Sequence, residues 1–141
     1  MFKVTSTLQM VKLVALSKGM GKLADKAVDA AAAALAEDAR SQTHQITGAL
    51  AMSIGYVSPL HDTYTQRTNA ASALNPRGET LPTPERPPGH SAVVAPGMAY
   101  GIYEELGTSR RPGHPYFTPA VERARQTFPQ IAAKIVGEGL R

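Results

Sequence analysis

Apolar positions recur with helical or strand spacing at both ends of the chain, while the middle loses periodicity. At the start, Ser6 and Gln9 stand at the spacing of a capping box, in which each side chain satisfies a free backbone N–H of the other residue. This predicts a helix over about Thr7 to Leu16, with Leu8, Val11 and Ala15 on one face and Gly19 and Gly21 interrupting it. From Lys22 to about Gln42 the alanine-rich run is strongly helix-forming, and Leu23, Ala27, Ala31, Ala34 and Leu35 make an apolar stripe. "ALAMSIGYV" alternates at Leu50, Met52, Ile54 and Tyr56, the pattern of a strand with one buried face, and "SAVVAP" (91–96) reads as a second strand. A short helix over Tyr100 to Gly107 follows, ended by Gly107 as a left-handed C-cap. Thr118-Pro119 reads as an N-cap with a first-turn proline. Val121, Ala124, Phe128, Ile131 and Ile135 continue the helical spacing to Gly137, and Pro129 should kink the helix or divide it near Phe128.

Between these elements, residues 58–91 hold Pro59, Pro76, Pro82, Pro84, Pro87 and Pro88 and few large apolar side chains. That composition predicts an extended loop or arm with room for a short hairpin, and an arm of this kind suits a segment that orders against a neighbouring molecule. With two strands legible and helices before and after them, the chain reads as one α+β domain over 1–141. Its small antiparallel sheet is packed on one face by N-terminal and C-terminal helices, with the long Pro-rich loop between strands.

Composition adds limits. Fifteen Lys+Arg against 11 Asp+Glu give a net charge of +4, spread along the chain, so an acidic partner is only weakly indicated. There is no cysteine, hence no disulfide framework and no thiolate metal site. The longest strongly apolar tract, Ala30 to Ala36, is far short of the roughly 20 residues a membrane helix needs, and Lys12 and Lys18 break any signal-peptide pattern; a soluble intracellular protein without a membrane association is the expectation.

The candidate chemistry is sparse. Glu104 and Glu105 are adjacent and would diverge by about 100° on a helix, which suits a solvated or partner-facing pair better than shared acid/base work. His44, His61, His90 and His114 lack metal-ligand spacing, and neither a Gly-x-Ser-x-Gly elbow nor a phosphate-cradling glycine loop occurs. No catalytic, cofactor-binding or metal-binding residue is therefore assigned. Arg110 and Arg111 in "SRRPGHP" could meet a phosphate backbone, and with Arg123 and Arg125 they define the alternative of a small basic nucleic-acid-binding module.

Three separated stretches resemble one family, the neck or tail-completion proteins (head–tail joining proteins) of long-tailed bacteriophages, typified by a tail component of a lambda-like coliphage. "TGALAMSI" is similar to that family's Thr-Gly-x-Leu-x-x-Ser-Ile through Thr47, Gly48, Leu50, Ser53 and Ile54. "AYGIYEELGT" resembles Tyr-Ala-x-Tyr-x-Glu-Phe-Gly-Thr through Tyr100, Tyr103, Glu105, Leu106, Gly107 and Thr108, with Gly101 where the family has alanine and Glu104 where it has an apolar residue. "HPYFTPAV" resembles the Pro-Phe-Leu-x-Pro-Ala that opens the last helix, through Pro115, Tyr116, Pro119 and Ala120. The resemblance implies a non-enzymatic virion component forming a homo-oligomeric ring between the capsid connector and the tail tube, with six subunits as the family-level expectation. It also implies head-completion and tail-tube partners, and passive contact with DNA passing through the lumen. On this reading Tyr100, Tyr103, Glu104, Glu105, Gly107, Thr108, Arg110 and Arg111 are subunit-interface candidates, the acidic helix of one copy facing the basic loop of the next.

Overall fold

A computed structural model describes residues 11–14, 21–43 and 48–139. The capping box at Ser6 and Gln9, His44 and Thr47 lie outside them. The described elements run β1 (Val11–Val14), α1 (Gly21–Gln42), α2 (Ala49–Ser53), β2 (Gly55–Val57), α3 (Tyr64–Leu74), β3 (Ser91–Ala95), α4 (Gly101–Leu106), the two-residue strands β4 (Gly107–Thr108) and β5 (Arg111–Pro112), and α5 (Phe117–Gly139). The α+β class read from the sequence is the class observed.

The main sheet has the order β1-β3-β2, antiparallel throughout, with Val94 facing Val11 on one side and Tyr56 on the other. Its central strand is buried along its whole length, so both faces are covered. Strand residues alternate between faces. Ala92 and Val94 join the main core with Val28, Ala32, Leu35 and Ala36 of α1 and Phe117 and Ala120 of α5. Ala95 points the other way and packs with Val57 and Tyr64 of α3. Helices therefore lie on both faces, where the sequence suggested one. Small side chains explain the α1 contact: Ala24, Ala27, Ala31, Ala32, Ala36 and Ala39 are buried at i, i+3, i+4 spacing, letting β3 and α5 approach closely. Of the predicted stripe, Ala34 is exposed.

Other expectations are corrected. Residues 11–14 are a strand, not part of a helix: "VKLV" carries two β-branched valines and pairs with β3. "ALAMSIGYV" splits into α2 and β2, because Gly48, at φ 78°, turns the chain into a helical turn before the strand begins. The 58–91 segment is not an extended arm. It contains the 11-residue α3, which buries Tyr64, Thr68 and Ala71, and its ends are tied to α1. Ser58 Oγ donates to Asp29 at 2.6 Å, His61 Nδ1 lies 2.8 Å from Asp29 and His90 Nδ1 lies 2.7 Å from Asp25. Leu81, Pro84, Pro87 and His90 are half-buried with two exposed residues between each, so one side of this stretch lies against the body. Finally, α5 runs unbroken through Pro129. Proline removes one ladder bond there, and Pro129 is exposed, where water can reach the freed carbonyl.

Candidate functional site

The three stretches that carry the resemblance meet at one junction built around α4. Gly101 and Glu105 are one turn apart and face inward. A helix start leaves its first N–H groups without intrahelical partners. Here Glu105, 4% exposed, supplies them: its Oε2 accepts the Tyr116 and Phe117 N–H groups at 2.7 and 3.1 Å, and its Oε1 accepts the Thr118 N–H at 2.7 Å. The next residue, Pro119, has no N–H to satisfy. The carboxylate also places negative charge at the positive end of the 23-residue α5. Thr118 is thus inside the first turn, and the N-cap role predicted for it belongs to Glu105.

Tyr116 is buried beside this carboxylate. Its hydroxyl donates to the Gly101 carbonyl at 3.0 Å, and its ring meets Phe117 edge-on with centroids 6.2 Å apart. Burial, followed by the nearby Glu105 charge, pushes the Tyr116 hydroxyl's pKa well up. A Cβ at position 101 would stand 2.7 Å from that hydroxyl and 3.0 Å from Leu50 Cδ1, so only glycine fits between α2 and the Tyr116 ring. Ser53 stitches the remaining side: its Oγ donates to the Leu50 carbonyl at 2.8 Å and accepts the Gly97 and Met98 N–H groups at 3.1 and 3.2 Å. Ile54 and Ala120 complete the buried surround, while Pro115 is exposed.

The opposite side of α4 faces out. Tyr103 and Leu106, three residues apart on one face, are 53% and 56% exposed, whereas Tyr100 is half-buried against the core. Gly107 ends the helix at φ 81°, ψ 179°. This is a glycine-dependent conformation but not the left-handed helical cap expected, because the chain must extend at once into the β4–β5 hairpin. In that hairpin Thr108 and Arg110 are exposed, and the Arg110 guanidinium has no ion pair among the described residues.

Two of the interface expectations change. Glu105 is a buried cap and cannot project to a neighbour. Glu104 pairs with Arg111 of its own chain, so the acidic helix and the basic loop complement each other within one subunit. Both glutamates look alike in sequence. The available signal was Gly101 one turn before Glu105, which marks the side of the helix that approaches other backbone.

The arginines considered for nucleic acid are mostly engaged: Arg123 bonds Asp38 at 2.7 and 2.8 Å, and Arg125 bonds Glu122 at 3.2 Å. Among the described residues no group of three or more His, Asp or Glu could hold a metal ion, and no helix is long and apolar enough to cross a membrane. Comparison with known proteins finds no matching family profile, no matching curated protein and no matching solved structure.

Proposed function

We propose that this chain is a non-enzymatic structural virion protein of a tailed bacteriophage, forming a homo-oligomeric ring in the neck between the capsid connector and the tail tube. Its role there is that of a neck, tail-completion or tail-terminator subunit, reached from the host cytoplasm during assembly. The observation that supports this reading is the convergence of the three resembling stretches: Leu50 and Tyr116, far apart in sequence, belong to one core cluster and both border Gly101. A chance match of scattered short motifs has no reason to form one packed unit.

The departures from the family pattern support it too. This chain has Gly101 where the family has alanine and Tyr116 where it has phenylalanine. The two changes compensate: the tyrosine hydroxyl occupies the space a methyl at 101 would need, and it bonds the Gly101 carbonyl. The nucleic-acid alternative draws no comparable support, since Arg111, Arg123 and Arg125 each hold an ion pair within the chain.

The test is electron microscopy of particles made by a phage or induced prophage lacking this gene, with and without complementation. Filled heads and separate tails that join only on complementation are the expected result. Intact infectious particles without the protein would end this reading.

A further inference from the structure

We draw no further inference here: the strongest candidate, the apolar groove between α1 and α5 lined by Ala31, Ala34, Leu35, Ala120 and Ala124, is an unpartnered surface, and nothing in the structure shows what covers it.

Discussion

Glu104 and Glu105 occupy adjacent positions on one six-residue helix, yet the inner and outer sides of that helix follow different rules. On the inner side, Gly101, Glu105 and Tyr116 are buried; the two Glu105 oxygens accept three N–H groups at the start of α5, and the Tyr116 hydroxyl donates to a carbonyl of α4. On the outer side, Tyr103 and Leu106 face solvent, while Glu104, at the flank with its side chain only 11% exposed, pairs with Arg111. The inner side holds the fold. The outer side contributes little to it and is available for contact. A helix this short gains little from its own hydrogen bonds, so the inner contacts are what position the outer residues.

The sharpest way to break the inner side is Glu105→Ala. It leaves three N–H groups at a buried helix start without acceptors and removes a negative charge from the positive end of α5. Loss of about 3–5 kcal/mol is expected, the range for removing one partner from a buried charged network. Urea denaturation read by circular dichroism checks it; a change under about 1 kcal/mol would contradict the capping role.

A smaller effect appears at alkaline pH. Tyr64, buried between α3 and β3, has its hydroxyl pushed up to about 12 by burial, and it donates to the Leu81 and Pro96 carbonyls at 3.2 and 3.4 Å. An unfolded tyrosine titrates near 10. Between those values the folded state holds the proton that the unfolded state has lost, so the contribution of Tyr64 to stability is constant below about pH 10 and is lost as pH rises through about 12. The loss is at most about 2–3 kcal/mol from this residue, and Tyr116 adds in the same direction. Tyr64→Phe should flatten the decline in ΔG above pH 10, measured by urea melts at stepped pH.

The Gly101 and Tyr116 compensation gives a double-mutant cycle. Gly101→Ala drives a methyl toward the Tyr116 hydroxyl and should cost about 1–3 kcal/mol. Tyr116→Phe alone loses one buried hydrogen bond, about 1 kcal/mol. The double variant should be more stable than the sum predicts by at least about 0.5 kcal/mol, since the phenyl ring leaves room for the methyl. Strict additivity would mean that the two positions do not share that space.

How much of this was legible differs by element. α1 announced itself because 22 residues of alanine-rich sequence sum many small propensities in one direction. β1 did not, because four residues embedded in a helix-spaced window carry too little signal against the surrounding period. α3 was hidden by the prolines around it: "YTQRTNAASAL" contains none, but it has no clear apolar stripe, and its burial comes from Tyr64 and Ala71 meeting a sheet whose position only the tertiary fold sets. At the site, the residues forming the unit were visible as motifs. Which of two glutamates turned inward was legible only through Gly101 one turn before Glu105, since adjacent carboxylates have the same local preferences and the approach of α5 decides between them.

The smallest effect on stability should come from the outer side, and there the comparison is sharpest. Leu106→Asp replaces a side chain that is 56% exposed and touches little of its own fold, so urea melts should move by less than about 0.5 kcal/mol. Tyr103→Ala should behave alike. If the outer face is a subunit contact of the proposed ring, both variants fold normally and still fail to join heads to tails in the complementation assay, because a charge or a void now stands in an apolar interface. Glu105→Ala also fails to complement, but only together with a collapsed melting curve. Separating the two requires both readings on each variant. Folded and inactive marks a contact residue, unfolded and inactive marks the support beneath it, and full activity from Leu106→Asp would return the outer face of α4 to ordinary solvent-exposed surface.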